Sequence, residues 1–567
     1  MSITGIVVSS GIAFGQALHL NLQHQKIDYR VIPLAQVPIE IESLKTAFEQ
    51  QKQHLTQGLA KLDPSTSHFE LIEADILILD DEELLAQIKD AISKLQIRAA
   101  AAIERIFTYQ ASELEQLDDP YLANRAEDIL CLSSRLIARL HGAQHLDLSQ
   151  LNQDTIIFAH DLTPAEFAML PLKHIKGLVL NTGGITSHTA ILARSAGIPA
   201  LLSCQFDGEQ IKNGTQVVLN AIEGELVIKP SPEHLAQLYR LQQQDIERKQ
   251  QLLTLKDLPT ETLDAHQVSL LANVGSLNEI SHLADVGAEG IGLFRTEFML
   301  MNTSILPDEK TQYHFYCDAL HLMAGKTFTI RTLDVGADKE LPCLTPLVED
   351  NPALGMRGIR YSLANPQLFI TQVKAILRAA NHGPIRLMFP MINQVEELEA
   401  LFDLIEACKL QLIEEEKGFG QLSYGIVVET PAAVLNLESM LPQLDFISIG
   451  TNDLTQYTMA ADRTNPSLTS EYPSLSPAVL HLIKTTIDLA QQHQVKVSLC
   501  GELASEPKVA PLLVGMGIDE LSVNLSSLLE VKSAIRDISY QTCLALAKHA
   551  IKIKRIEELN IYINGLN

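Results

Sequence analysis

The amino-acid sequence predicts an α/β multidomain protein with a C-terminal (β/α)8 barrel, a small N-terminal α/β domain and a helical bundle inserted into that small domain. Three observations support this prediction. The chain has 567 residues, which is more than one hydrophobic core supports, so we expect two to four domains. Eight strand-like segments alternate with helical patterns after residue 261. Long amphipathic patterns with few glycines occupy the region before residue 143.

The N-terminal part reads as a strand region interrupted by helices. Residues 1–22 favour one or two short strands, whereas residues 30–143 carry apolar residues at three- and four-residue steps, which is typical of amphipathic helices in a bundle. Residues 145–229 then alternate between strand and helix patterns. Because the short strands at 1–22 need partners, we predict one α/β domain formed by 1–22 and 145–229, into which the bundle is inserted.

The C-terminal part predicts a TIM-type barrel over residues 261–567. A helix at 231–260 is polar nearly all round, which is typical of a helix that links domains. An open doubly wound sheet is the alternative for the region that follows, but such a sheet rarely supplies eight strands in regular succession. The strand candidates begin at residues 268, 290, 327, 385, 424, 446, 497 and 520.

Composition excludes several functional classes. The net charge of −26 and the absence of any Lys/Arg block argue against nucleic-acid binding; the acidity favours solubility or a docking face for a basic partner. No run approaches the ~18–20 apolar residues that cross a bilayer. The first residues lack the basic start of a signal peptide. The seven scattered cysteines include no C-x-x-C pair, so we predict neither disulfides nor a zinc site and expect a cytoplasmic protein.

Polar residues cluster where the predicted barrel strands end, which is where barrel active sites lie. For any one arginine a structural salt bridge is the simpler interpretation. Several arginines on one face of an acidic protein instead favour a small, dense polyanion, because guanidinium groups bind carboxylate and phosphate in bidentate fashion. The candidate residues are Arg295, Arg331, Asp334, Arg357, Glu429, Asn452, Asp453, Arg463 and Cys500.

Two of these carboxylates and the cysteine each have two possible interpretations. Glu429 and Asp453 are hard oxygen ligands suited to Mg²⁺ or Mn²⁺, with water and phosphate completing the coordination. Equally, they could neutralise the arginines. Cys500 ends an apolar strand, so a buried core thiol is the default, while its place at a strand end favours proton transfer.

The stretch "NTGGITSHTAILARSAGIPA" places His188 in the first turn of a predicted helix. Thr186 or Ser187 is a credible N-cap, and the glycine pair 183–184 lets the backbone approach a ligand closely. The helix dipole favours an anion here and disfavours the imidazolium, so a neutral, nucleophilic His188 could accept a phosphoryl group. A surface histidine that helps to cap the helix is the alternative.

Seven motifs together resemble enzyme I of the phosphoenolpyruvate-dependent sugar phosphotransferase system over essentially the whole chain. They are "GGITSHTAILARS", "GAEGIGLFRTEF", "IRTLDVGADKELP", "NPALGMRGIR", "VVETPAA", "SIGTNDLTQYT" and "LCGELA". The resemblance implies that phosphoenolpyruvate binds the barrel with Mg²⁺ and phosphorylates His188. The carrier protein HPr, docked on the bundle at 30–143, then takes the phosphoryl group.

The resemblance also implies a role for each matching residue. Cys500 would protonate C3 of the enolate, and Glu429 and Asp453 would bind the metal. A homodimer through the barrel and a swivel of the His188 domain are implied as well. Phosphate and carboxylate would be held by Arg295, Arg331, Arg357, Asn452, Asp453 and Arg463.

The chain departs from the family pattern at a few positions. Phe167 replaces a threonine that typically hydrogen-bonds the active histidine, Leu130 stands where a basic residue is common, and the loop after Arg463 differs. Three alternatives remain. Pyruvate-phosphate dikinases and phosphoenolpyruvate synthases need a nucleotide-binding domain that we do not find. The nitrogen-regulatory form of enzyme I carries an extra sensory domain, but this chain could serve that branch through a paralogous carrier. A non-catalytic, phosphoenolpyruvate-sensing protein is the third.

Overall fold

A computed structural model gives the fold as two compact units, residues 1–248 and 249–567. The structure describes the following residues: 2–20, 27–59, 67–115, 120–140, 151, 153–160, 162, 167, 170–182, 188–206, 211–300, 306–336, 343–344, 349–463, 465, 468 and 471–565.

The first unit contains a mixed sheet of eight strands within the described ranges. Its order is β1-β8-β7-β3-β4-β5-β6-β2, with β3 to β6 parallel and the other pairs antiparallel. Three strands, not the one or two expected, lie in the first 22 residues. The strands are β1 Ser2–Thr4, β2 Ile6–Ser9, β3 Ile12–Leu20, β4 Thr155–Ala159, β5 Ile175–Leu180, β6 Ala200–Leu202, β7 Gln216–Asn220 and β8 Glu225–Ile228.

The chain between β3 and β4 forms helices, as the apolar periodicity predicted. Residues such as Leu44, Ile88, Phe107 and Leu132 are fully buried in one apolar cluster, because their spacing places them on the inner faces of the helices. The helices are α1 Val37–Leu59, α2 Ser67–Leu79, α3 Glu82–Leu95, α4 Ala99–Glu115 and α5 Pro120–Leu140.

Two further helices follow in the first part of the chain: α6 spans His188–Ser195, and α7 spans Pro232–Leu253. The sequence interpretation of α7 as polar nearly all round missed an apolar stripe. Leu238 is buried against Ile12 of the sheet, and the ring of Tyr239 stacks on Phe14 with 3.9 Å between centroids. Leu235, in the same apolar cluster, lies three and four positions before Leu238 and Tyr239, so these three residues share one helix face and the first turns of α7 pack on the sheet.

The second unit is a closed barrel of parallel strands, which confirms the predicted fold class. All eight predicted strands are present, and the last pairs with the first. The strands are β9 Ser269–Val274, β10 Gly290–Arg295, β11 Thr327–Arg331, β12 Ile385–Phe389, β13 Leu422–Val428, β14 Phe446–Ile449, β15 Lys496–Leu499 and β16 Glu520–Asn524.

Helices follow the barrel strands and bury their apolar faces against them in one large core cluster. In the described part of the chain, no helix combines the length and apolarity that a bilayer crossing requires. The helices are α8 Leu277–Ser281, α9 Leu283–Val286, α10 Glu309–Met323, α11 Ile359–Ala364, α12 Pro366–Ala379, α13 Val395–Glu414, α14 Pro431–Met440, α15 Thr451–Met459, α16 Pro477–Gln492, α17 Ala510–Met516, α18 Leu528–Arg536, α19 Tyr540–Ala550 and α20 Ile556–Asn564.

A separate, small apolar cluster fills the barrel interior. Leu293, Met388, Val427, Phe446 and Cys500 pack together there, apart from the larger cluster between strands and helices. Successive strand residues point to opposite faces, so these five side chains occupy the inward positions of their strands. The interior is thus a packed layer, and the polar residues at the strand ends lie above it.

Candidate functional site in the barrel

Arg331, the last residue of β11, anchors a buried ion-pair network. Its guanidinium contacts Glu297 Oε1 at 2.8 Å and Asp334 Oδ2 at 3.0 Å. Glu297 also accepts a hydrogen bond from the backbone N–H of Asp334 at 2.9 Å, which holds the loop after β11. Burial lowers the pKa of Arg331, but the carboxylates of Glu297 and Asp334 outweigh it and raise that pKa above its ordinary value.

Arg357 continues the network from the segment between β11 and α11. Its side chain is only 1% exposed and pairs with Asp334 at 3.1 Å and with Asp453 at 2.9 Å. The Tyr457 hydroxyl accepts a further hydrogen bond from it at 3.1 Å. Gly358 has a φ of +55°, a conformation that side chains disfavour, and a Cβ there would lie 2.9 Å from Met391. The glycine therefore permits the turn that places Arg357.

Asp453, in the first turn of α15, is shared between two arginines. Its second oxygen contacts Arg463 at 3.4 Å while the first contacts Arg357. The alternation of charge from Arg331 through Asp334, Arg357 and Asp453 to Arg463 brings together residues from the ends of β11 and β14 and the segments that follow them. The predicted cluster of arginines thus exists, and Asp453 does neutralise part of it.

Glu429, which follows β13, differs from Asp453 because its hydrogen bond is to the backbone. It accepts a hydrogen bond from the N–H of Met391 at 2.6 Å and is 2% exposed. Burial, then the nearby charges of Asp453 and Asp334, raise the pKa of Glu429 to about 8. A buried carboxylate that is costly to ionise is stabilised by a dication, so Glu429 and Asp453 fit a divalent metal. Within the described ranges no group of three His, Cys, Asp or Glu side chains is arranged for a metal ion.

Arg295 ends β10 and has a different environment from the other arginines. Among the described residues it has no side-chain hydrogen bond or ion pair, and the pKa of Arg295 is lowered by burial and then by the charge of Arg331. Two cations at neighbouring strand ends, with Arg295 unpaired in the described part of the chain, suit an anion such as phosphate or carboxylate.

Cys500 and Asn452 lie at the ends of β15 and β14. Asn452 Oδ1 accepts a hydrogen bond from the N–H of Glu502 at 3.0 Å, which ties the two strand ends together. The Cys500 carbonyl accepts a hydrogen bond from Asn273 Nδ2 at 3.1 Å, and its side chain is 5% exposed. Burial raises the pKa of the Cys500 thiol, so it holds its proton at neutral pH.

The histidine motif lies in the first unit, on α6. Among the described residues this helix covers His188–Ser195, so His188 lies on a helix, and Gly197 with a φ of +64° follows it. The Thr189 hydroxyl donates to the carbonyl of Leu162 at 2.7 Å, and Phe167 is buried in the apolar cluster that packs on α6. The glycine pair, Thr186 and Ser187 lie outside the described residues, as does the His188 ring. The second departure, Leu130 on α5, is 37% exposed, and the third, the loop after Arg463, lies partly outside the described residues.

Sequence reasoning missed two residues of the barrel network, Glu297 and Tyr457. Glu297 follows Arg295 by two positions in "FRTEF", and a carboxylate so close to a strand end was the available signal. Tyr457 has no signal of this kind, since one turn of helix separates it from Asp453.

Comparisons with known proteins identify the family of the chain. Three family models match the chain: "PEP-utilising enzyme, N-terminal" over residues 4–125, "PEP-utilising enzyme, mobile domain" over 151–224, and "PEP-utilising enzyme, PEP-binding domain" over 249–540.

Relatives named phosphoenolpyruvate-protein phosphotransferase match over nearly the full length. The Haemophilus influenzae protein is 38% identical, over 98% of both chains. The Buchnera aphidicola protein is 37% identical over 100% of both, and the Staphylococcus epidermidis protein is 34% identical over 100% of this chain and 99% of its own. The chain, with its barrel and its three matched regions, therefore belongs to the phosphoenolpyruvate-protein phosphotransferase family of phosphoenolpyruvate-utilising enzymes.

Proposed function

We propose that the chain transfers the phosphoryl group of phosphoenolpyruvate to its own His188, with Mg²⁺, and releases pyruvate. The observation that carries this proposal is the buried network of arginines and carboxylates at the barrel strand ends, with Arg295 unpaired among the described residues beside Arg331. Phosphoenolpyruvate carries a phosphate and a carboxylate on three carbons. Such a compact polyanion suits several guanidinium groups in a small space.

Each residue has a role in this proposal that follows from its position. Arg295 and Arg331 bind the anionic groups of the substrate directly. Arg357 and Arg463 bind them while each is ion-paired with Asp453. Asn452, tied to the N–H of Glu502, contacts the phosphate. Cys500, a protonated thiol in the barrel interior, gives its proton to C3 of the departing enolate.

Glu429 and Asp453 would hold Mg²⁺, with Mn²⁺ as the other candidate. The ion would supply charge neutralisation at the transferred phosphoryl group, which is the main task in phosphoryl transfer. The protein's own residues do the remaining work: they bind and orient the substrate, and the packed layer under the site closes one side of it.

His188 at the start of α6 is the acceptor, where backbone N–H groups and the helix dipole stabilise added negative charge. We further propose that HPr, or in the nitrogen-regulatory branch a paralogous carrier, docks on the bundle and takes the phosphoryl group. A cytoplasmic homodimer that joins through the barrel completes the proposal. Leu130, exposed on α5, is a bundle position where the carrier preference would differ from that of relatives with a basic residue.

The experiment is to incubate the purified chain with phosphoenolpyruvate labelled in the phosphoryl group and Mg²⁺. Wild type should take an acid-labile, base-stable label, which His188→Ala and an EDTA-treated sample should not take. Adding HPr, or the paralogous carrier in a parallel arm, should remove the label. The carrier that removes it at the higher rate shows whether the chain serves the sugar or the nitrogen-regulatory branch. Unlabelled wild type that still binds phosphoenolpyruvate would instead support the sensing alternative.

A further inference from the structure

A buried hydroxyl in the barrel interior has no role in the site described above. Ser448 lies on β14, two residues after Phe446, so the two share the inward face of the strand. The side chain is fully buried, and its Oγ makes no hydrogen bond of standard geometry within the described residues. An unpaired hydroxyl in an apolar layer destabilises the fold, so a specific function is the simplest reason for its presence.

Ser448 faces the thiol of Cys500. The backbone of Cys500 is fixed to β14 by a hydrogen bond from its N–H to the carbonyl of Ile449 at 3.0 Å, and β14 and β15 are paired in register. This pairing brings the inward side chains of the two strands together. Cys500 follows Ser498, the cross-strand partner of Ser448, by two residues, so its side chain is the diagonal neighbour of the Ser448 hydroxyl on the inward face.

Neighbouring serines in the same interior are satisfied. Ser498, the cross-strand partner of Ser448, donates to the carbonyl of Ile447 at 3.4 Å. Ser522, on β16, donates to Asn273 Oδ1 at 2.6 Å. Ser498 and Ser522 thus each contribute a hydrogen bond to the fold. Of these three hydroxyls, only that of Ser448 has no oxygen or nitrogen partner within the described residues.

We propose that Ser448 is a positioning residue for Cys500, whose hydroxyl donates a hydrogen bond to the thiolate that forms when the thiol gives up its proton. The inference rests on the proposed function, in which Cys500 protonates the enolate. In that step the S–H bond breaks and its electron pair stays on sulfur. The electron pair of the enolate double bond forms the new C3–H bond, and the oxygen becomes the ketone of pyruvate. Solvent water then reprotonates the sulfur.

The charges around the thiol agree with this assignment. Burial raises the pKa of Cys500, and Glu429 acts in the same direction. The contact with Ser448 is the strongest opposing influence, followed by the cations Arg331 and Arg295. A hydroxyl that favours the thiolate over the thiol therefore acts mainly after proton transfer begins, which is where catalysis requires stabilisation.

The test compares Ser448→Ala with Ser498→Ala, which removes a buried hydroxyl from the adjacent inward position. Hydrogen bonds to charged groups are the stronger class, so Ser448→Ala should lower kcat for pyruvate release about ten- to a hundredfold, with KM for phosphoenolpyruvate unchanged. The solvent deuterium isotope effect on pyruvate release should rise, because protonation then limits turnover. Ser498→Ala should leave kcat and the isotope effect at wild-type values.

Stability supplies a second, opposite readout. Ser448→Ala removes an unpaired hydroxyl and should leave the melting temperature unchanged or higher, whereas Ser498→Ala loses a hydrogen bond and should melt lower. Equal kcat and isotope effect in Ser448→Ala and wild type would overturn the inference, while leaving His188 labelling and the proposed function intact. Absence of label on wild type would overturn both. Ser448→Thr, which keeps the hydroxyl, should recover most of the lost kcat; no recovery in folded protein would also count against the role.

Discussion

The barrel site and the α6 region hold their functional residues in different ways. In the barrel, side chains from separate strand ends hold one another through ion pairs, as with Arg357 between Asp334 and Asp453. Around α6 the described contacts are mostly apolar, with Phe167 in the cluster, and the side-chain hydrogen bonds of Thr189 and Arg194 go to backbone carbonyls, those of Leu162 and Ala190.

The two regions should therefore tolerate different kinds of substitution. A buried ion-pair network fails when one charge is removed, because the partner charge remains in a dry environment. An apolar cluster accepts another side chain of similar volume. The barrel should therefore be sensitive to charge, and the α6 region to volume alone.

The largest expected effect is that of Arg357→Ala. The change leaves Asp334 and Asp453 buried with less compensation, which should lower the free energy of unfolding by about 3 kcal/mol or more and abolish phosphoenolpyruvate binding. Denaturant titration and calorimetric binding measure the two effects. Arg360→Ala is the matched control, since Arg360 donates to the backbone carbonyls of Leu354 and Gly355. Equal losses in both variants would contradict the view that the network is the special feature.

Cys500→Ala should have the next largest effect. Loss of the proton donor should slow pyruvate release about a hundredfold or more, while phosphoenolpyruvate binding persists. A coupled pyruvate assay, run beside binding, makes the measurement. Cys408→Ala removes a buried thiol from α13, in the outer core cluster, and should turn over like wild type. Normal pyruvate release by Cys500→Ala would remove the thiol from the mechanism.

A smaller effect concerns Glu429 in metal-free protein. Its folded pKa of about 8 exceeds the ordinary value of 4.5, so the folded state keeps a proton that the unfolded state has lost. Stability should then fall as pH rises, by about 1 kcal/mol between pH 7 and 9. Urea titrations in EDTA at those pH values test this, and Glu429→Gln should flatten the dependence. Addition of Mg²⁺ should restore stability at pH 9; a rise of stability with pH in EDTA would refute the assignment.

The smallest effect is expected from Phe167→Leu. The ring lies in an apolar cluster, so a leucine should reduce the free energy of unfolding by less than about 1.5 kcal/mol and leave the rate of His188 labelling unchanged. Thermal melting and a time course of labelling give the answer. A large drop in labelling without a drop in stability would mean that Phe167 acts on the histidine itself, in place of the family's threonine.

The sequence predicted the barrel because each strand is a short apolar run followed by apolar residues at helical spacing. This pattern depends only on residues close together in the chain. The sequence also predicted that arginines lie together at the strand ends, because the carboxyl ends of barrel strands meet on one face of the fold. The pairing among them was not predictable: which arginine Asp453 contacts depends on side-chain directions across the barrel. Glu297 and the apolar stripe of α7 were missed because a lone carboxylate and three apolar residues in a polar helix give weak signals.

Substrate binding in the barrel and phosphoryl transfer to His188 can be measured separately. Phosphoenolpyruvate with Mg²⁺ is titrated calorimetrically into His188→Ala and wild type, and the same samples are then assayed for phosphoryl label. We expect equal affinity in the two proteins and label on wild type alone, because phosphoenolpyruvate binds in the barrel and His188 on α6 accepts the phosphoryl group. Loss of binding in His188→Ala, or label on that variant, would contradict this expectation.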